Sequence, residues 1–437
     1  MNLFVVTPVI PFRHHGAQVV TAVNIVTSEV VRALSKMGHK ITLQCLYDPS
    51  HQYNELTQDE KEEIVYLEQL GIKVLPPFFS SDYKRSERPR RFRTLRILFS
   101  KSERLEYFYP CVRLTDELSL RIKNAKSDAI LDMWSPEGVA LCSQIKGIPK
   151  VAYHGDIPTV PERVRLRDRE LFSGKQLRGI RNRVRHIDRL IRNRLLLRTH
   201  LKAFQAFDCI ANIAKCNSDF YTKHGHPHSI YARSTWSDME DSAGTLTSQE
   251  RPTAQVPKII GHAGNLGSTG STYGLRFLLK EVLPQFHEMM EGRPYELHII
   301  GGGKIVPSLE PFLNHERIIL RGFVEDLDSE LTSCDLFCIF NNVGDYLATF
   351  TRQIIAWSMG LCCVAHERSK FPVPETTCEN TIIGSDSEEV ARRMVRAVSD
   401  SAYNLQVRCA GRETYEKYFK PQLIAATLDR ELRQITS

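Results

Sequence analysis

The chain predicts an α/β protein made of two Rossmann-like domains in tandem, facing a central cleft. Three observations carry this reading. Its 437 residues are too many for one ordinary core. Short apolar strand-like runs alternate with helical patterns, as in a parallel, doubly wound sheet. The alternation stops at a polar stretch and then restarts. Ligands in such sheets bind at the carboxyl ends of the strands, so two sheets suit a protein that brings two substrates together.

The first half opens on an apolar strand, Leu3 to Val6, and a loop leading to Gly16 and Ala17. A helical pattern follows through Val20, Val23, Val26, Val30 and Leu34, and Gly38 is its stop. Further strands are expected at 41–46, 129–131, 150–153 and 209–213. Ile180, Val184, Ile187, Ile191 and Leu195 recur at helical spacing and predict one long helix over 180–200.

In the second half, strand 258–260 runs into the glycine-rich loop Gly261–Gly274, and a helix follows around 275–286. Strands are then expected at 296–300, 318–321, 335–340 and 362–365, with a helix around 352–359. The resulting division is an N-terminal domain over 1–240, a linker over 241–256 and a C-terminal domain over 257–415. A closing helix over 416–437 can return to the N-terminal domain.

With 42% hydrophobic and 25% charged residues, the composition is that of a soluble globular protein. No run of about 18 apolar residues is present, which argues against a membrane-spanning helix. The N-terminus reads as a strand rather than a signal peptide. The eleven cysteines show no zinc spacing. Several, such as Cys45, Cys209, Cys338, Cys362 and Cys363, sit in apolar runs and read as buried free thiols of a reducing cytosol.

The net charge of +7 conceals an asymmetry. Segment 161–202 holds fourteen Arg or Lys and four acids, and segment 84–104 holds nine and two. These stretches carry +10 and +7, so the remainder sums to −10. Two basic stretches on an acidic body point to an anionic partner. In 88–99 the cations interleave with Phe92, Leu95, Leu98 and Phe99, which suits a helix lying on an anionic membrane surface. For 180–200 two readings stand: an apolar stripe on the core with a solvated arginine face, or an extension of that cationic surface. Nucleic acid is not expected, because aromatic side chains for base stacking are scarce in 161–200.

Five segments of the second half, in order, resemble the retaining glycosyltransferases of the GT-B fold (family four, group 1). They are Ile259–Gly264 with the Gly274–Pro284 run, Leu297–Gly303, Leu320–Leu327 and Ala356–Ala365. The resemblance implies two Rossmann-like lobes, a nucleotide-sugar donor on the C-terminal lobe and an acceptor on the N-terminal one. It implies no cofactor and no metal.

A donor diphosphate needs peptide N–H groups, helix N-termini or cations. The resemblance assigns this role to the loop carrying Gly264. The family has an Arg and a Lys where this chain has Asn265 and Tyr273, and two glutamates where it has Leu347 and Ile355. Arg352, at the start of a helix, is the remaining candidate cation. Thr349 and Thr351 are candidate hydroxyl donors. Phe323 and Val324, after Gly322, would cradle the nucleobase. Gly16 and Ala17 would approach the acceptor. His154 would touch the transferred sugar, with Asp156 orienting it or accepting a proton.

The expected function is transfer of a sugar from a nucleotide sugar, such as a UDP-sugar, to a glycan or lipid-linked acceptor, with retention, as in polysaccharide biosynthesis. The alternative is a non-catalytic relative serving as partner or scaffold; a sugar-nucleotide epimerase or hydrolase is a third reading. The expected location is cytoplasmic, peripheral on the inner face of the membrane.

Overall fold

The computed structural model describes residues 1–12, 21–47, 55–83, 97, 100–173, 179–248, 256–343, 346–347 and 351–437. The chain divides into two compact units. The first comprises Met1–Thr159, Arg181–Ser237 and Pro421–Ser437, and the second Val160–Ile180 and Asp238–Lys420.

The first unit is built on seven parallel strands: β1 (Asn2–Thr7), β2 (Lys40–Cys45), β3 (Lys73–Val74), β4 (Ala129–Met133), β5 (Lys150–His154), β6 (Cys209–Asn212) and β7 (Ser229–Tyr231). Their order is β3-β2-β1-β4-β5-β6-β7. The sequence direction reverses between β1 and β4, the switch point at which doubly wound sheets bind ligands. β4 and β5 are buried along their whole length, which explains why they read as continuous rather than alternating apolar runs.

The last helix, Pro421–Thr436, packs Ile424, Ala425, Leu428 and Leu432 into the core of this first unit. Two histidine–carboxylate pairs fasten it: His39 to Asp429 at 2.8 Å and His228 to Glu431 at 2.7 Å.

The second unit has six parallel strands: β8 (Lys258–Ala263), β9 (Glu296–Ile300), β10 (Ile318–Gly322), β11 (Leu336–Ile339), β12 (Cys363–His366) and β13 (Ile382–Gly384). Their order, β10-β9-β8-β11-β12-β13, repeats the doubly wound pattern with its switch point between β8 and β11. The core gathers Ile259, Leu297, Leu336 and Val364 from the strands and Leu278, Val282, Phe286 and Met394 from the helices.

Two parts of this unit differ from the sequence expectation. Residues 241–247, expected as linker, belong to a helix that begins at Glu240. Ala243 and Leu246, three apart, are buried, and the carbonyl of Thr247 accepts from the Cys409 thiol at 3.6 Å. Small, spaced apolar residues in a polar stretch thus suffice once a partner helix covers them.

Residues 160–180, expected in the N-terminal domain, group with the second unit instead. Arg165 Nε donates to Thr269 Oγ1 at 2.8 Å, the Tyr273 hydroxyl bonds Asp168, and Ser308 Oγ donates to the Leu171 carbonyl at 2.9 Å. These are long-range polar contacts that no local periodicity encodes.

The five cysteines singled out from apolar runs are buried free thiols, and the described cysteines form no disulfide. No described helix is long and apolar enough to cross a membrane.

Candidate functional site

The carboxyl ends of β8, β9 and β10 are laced together by glycine backbone. Gly264 N–H donates to the Ile300 carbonyl at 3.0 Å, Leu266 N–H to Gly302 at 2.9 Å and Gly301 N–H to Gly322 at 2.7 Å. Gly264 and Gly301 adopt φ of +124° and +134°, a region closed to ordinary side chains. A Cβ on Gly301 would overlap the Gly264 carbonyl. The two loops therefore approach to backbone contact, which a substrate diphosphate needs if peptide groups are to reach it.

Helix Thr269–Phe277 begins beside this lacing. Its N-cap Ser268 accepts from Ser271 N–H, and Gly274 lets the helix lie against the Phe340 carbonyl, which a Cβ would approach to 2.9 Å. Helix Thr351–Ser358 supplies the charge. From its first turn, part-buried Arg352 crosses back toward β8. Nη1 donates to Asn341 Oδ1 at 2.7 Å and lies 3.4 Å from His262 Nδ1, and Nη2 donates to Ser271 Oγ at 3.3 Å.

Every one of these partners is neutral. Burial lowers His262 well below the usual histidine range, and the Arg352 guanidinium lowers it further. Burial also pushes Arg352 down to about 10, which leaves it charged at neutral pH. Among the described residues no carboxylate pairs with it. A buried charge is normally paired; this one faces a glycine loop and a helix N-terminus, both of which favour anions.

The structure thus brings Gly264 and Arg352 together: a Cβ on Gly264 would lie 2.7 Å from Arg352 Nη2. The other expected donor residues have contacts of their own. Asn265 is exposed, but its Oδ1 accepts from Gly267 N–H at 2.9 Å, so its side chain shapes its own loop. Tyr273 is buried with Val164 and Tyr346, its hydroxyl on Asp168 and its ring edge-on to Phe172 at 5.8 Å. In this arrangement the hydroxyl of Tyr273 donates to Asp168 and its ring packs inside the unit.

Phe323 is 56% exposed and Val324 is partly exposed, just beyond β10. Neither is core. At Leu347 and Ile355, where the resemblance would put acids, both side chains are partly exposed and apolar. Thr351 is partly exposed in the first turn of its helix. Thr349, Gly16 and Ala17 lie outside the described residues.

In the first unit His154 ends β5, as expected, but its side chain is only 3% exposed and turns inward. Nε2 meets Asp132 Oδ1 at 2.7 Å, and the ring stands edge-on to Phe204 at 5.2 Å. Burial pushes the imidazole down to about 3 and the Asp132 carboxyl well up, each toward its uncharged form. The partner of His154 is therefore Asp132 and not Asp156.

Asp156 is partly exposed in the turn after β5. That turn is set by Asn212 and Asn217, whose amides donate to the Gly155 carbonyl at 2.9 and 3.1 Å.

Four residues of these arrangements escaped the sequence reading: Asp132, His262, Ser271 and Asn341. Asp132 carried a signal, as a lone acid inside the apolar strand β4. His262, a lone histidine at a strand's end, carried a weaker one. Ser271 and Asn341 carried none.

The chain has the fold of the GT-B glycosyltransferases, with an arginine that has no carboxylate partner among the described residues at a glycine-laced strand edge. More particularly, residues 257–400 match the family model Glycosyl transferases group 1. No curated protein matches the chain.

Solved structures show the same fold. HepE from Anabaena in complex with UDP superposes with a TM-score of 0.60 at 13% identity, covering 99% of each chain. A glycosyltransferase from Rickettsia africae gives 0.59 at 13%, covering 99% of this chain and 98% of that one. The lipopolysaccharide outer core galactosyltransferase WaaB gives 0.55 at 11%, covering 99% of each.

Proposed function

We propose that the protein transfers a sugar from a nucleotide-sugar donor to a glycan or lipid-linked acceptor, with retention of the anomeric configuration. The observation that carries this reading is Arg352, a part-buried guanidinium with no carboxylate partner among the described residues, held against Gly264 by neutral groups. A donor diphosphate supplies the missing negative charge.

As the bond from the sugar to the diphosphate breaks, charge builds on the departing oxygens. Arg352 and the N–H groups at the start of helix Thr269–Phe277 are already oriented for that charge and need no reorganisation. The reading requires no metal, since the arginine provides the cation. Phe323, exposed beside Gly322, offers an apolar shelf for the nucleobase. The UDP bound by HepE favours uridine as that base. The reading includes cytoplasmic polysaccharide biosynthesis as the setting. It also includes an anionic membrane surface as partner, through the basic stretches 84–104 and 161–202.

Calorimetric titration of the whole chain with UDP, GDP and ADP tests the donor site. UDP is expected to bind, and Arg352→Ala to weaken it at least ten-fold. Failure of all three nucleotides to bind sinks the reading. NMR of the product formed from a bound donor then reports the anomeric outcome, and an inverted product removes retention.

A further inference from the structure

The long helix Ile180–Phe204 is packed along only part of its length. Its buried residues are Asn193, Leu195, Thr199, His200, Ala203 and Phe204, all in the second half. In the first half the apolar stripe that sequence periodicity could assign to the core stands in solvent. Ile180 is 81% exposed, Val184 59% and Ile187 55%. Their spacing of four and three puts them on one face of about two turns. Ile191, next on that face, is half-buried, and Leu195 is buried, so the stripe runs out of the packed region into the open.

Arginines surround the exposed part. Segment 180–200 holds seven arginines and a single acid, Asp188, which pairs with Arg192 at 2.8 Å. Arg181, Arg183, Arg185, Arg194 and Arg198 are exposed and make no ion pair among the described residues. On a helix of 100° per residue, Arg181 and Arg183 flank the stripe on opposite sides, and Arg185 and Arg189 lie on the far side.

We infer that the first half of this helix is a docking surface for an anionic lipid bilayer, its stripe dipping into the acyl boundary and its arginines reaching lipid phosphates. Aliphatic residues with flanking arginines are what such a boundary takes up, since arginine stems lie along apolar surface while their heads reach phosphate. A second copy is disfavoured by charge, because two helices this rich in arginine repel. Nucleic acid is disfavoured because 180–200 contains no Phe, Tyr or Trp to stack on bases. This rests on the membrane part of the proposed function, but not on sugar transfer.

The test is sedimentation of the whole chain with vesicles of phosphatidylcholine containing 30% phosphatidylglycerol, without donor. Wild type is expected to bind, and pure phosphatidylcholine to lose most of the binding. Replacing Ile180, Val184 and Ile187 together by Asn should weaken binding at least ten-fold while leaving UDP affinity unchanged. An Arg→Gln change at Arg181 or Arg183 should cost roughly five-fold at low salt. Tryptophan placed at Val184 should shift its emission to the blue on binding.

If wild type ignores anionic vesicles, both this inference and the membrane reading fail. If it binds but the Asn triple variant binds equally, or the Val184→Trp emission does not move, this inference alone is overturned and 84–104 becomes the contact. Stripe-dependent binding to polyglutamate, with none to vesicles, overturns it in favour of an acidic protein.

Discussion

The guanidinium of Arg352 occupies the space that a side chain on Gly264 would need, with Nη2 only 2.7 Å from where that Cβ would be. The glycine is required twice over, by its φ of +124° and by the arginine beside it. Gly264→Ala is therefore expected to push the guanidinium off its neutral cradle. It should weaken UDP binding by a factor close to that of Arg352→Ala. Arg352→Lys should recover only part of the affinity, because an ammonium lacks the fork that reaches Asn341, Ser271 and an anion together. Calorimetry on the three variants checks the order.

Gly301 and Gly302 offer a paired comparison. A Cβ at Gly301 meets the Gly264 backbone, which cannot yield as a flexible side chain would, and its φ is +134°. Gly302 has nothing within 4 Å of its would-be Cβ. Gly301→Ala should cost about 3 kcal/mol or more of unfolding free energy, and Gly302→Ala less than about 0.5 kcal/mol. Urea unfolding followed by tryptophan fluorescence separates them.

Tyr273→Phe distinguishes a packing residue from a donor contact. The change removes the hydroxyl bonded to Asp168, and the carboxylate keeps its pair with Arg167. A stability loss of about 1 kcal/mol is expected, with UDP affinity unchanged within two-fold. An affinity loss above ten-fold would return Tyr273 to the donor site.

Buried histidines make stability depend on pH. Burial pushes His200 down to about 3 while its Nε2 meets the Tyr221 hydroxyl at 2.7 Å. The unfolded chain takes up this proton near pH 6.5 and the folded one only near 3. Stability is therefore whole above about 6.5 and drains as pH falls through that window, by up to about 1.4 kcal/mol per pH unit. His154 has the same sign, but Asp132, shifted upward, opposes it, so that pair contributes less. His200→Gln should flatten the pH dependence between 4 and 6, as read from denaturation midpoints.

Much of the fold was legible because parallel strands buried on both faces leave apolar runs that need no partner to be recognised. β9 falls at the expected residues, and the other expected strands shift by a few positions at their ends. β3, β7 and β13 were missed, having two or three residues each, too few for any period to show. At the site, Gly264 and Arg352 were legible from residue type and position along the chain. The inward turn of His154 was not, because it depends on Asp132 twenty-two residues earlier. The exposure of Ile180, Val184 and Ile187 was likewise unreadable: periodicity reports a face and not what covers it.

The fastening of Pro421–Thr436 into the first unit sets an order of events during synthesis. Leu428 and Leu432 join a core whose other members are mostly drawn from residues 3–232. On the ribosome that core waits, incomplete, until residues 421–437 emerge, by which time the second unit has had its whole sequence available. A fragment ending at Ser237 would keep the β1–β7 sheet yet leave His39 and His228 without Asp429 and Glu431. It is expected to aggregate unless Pro421–Ser437 is supplied as a separate peptide.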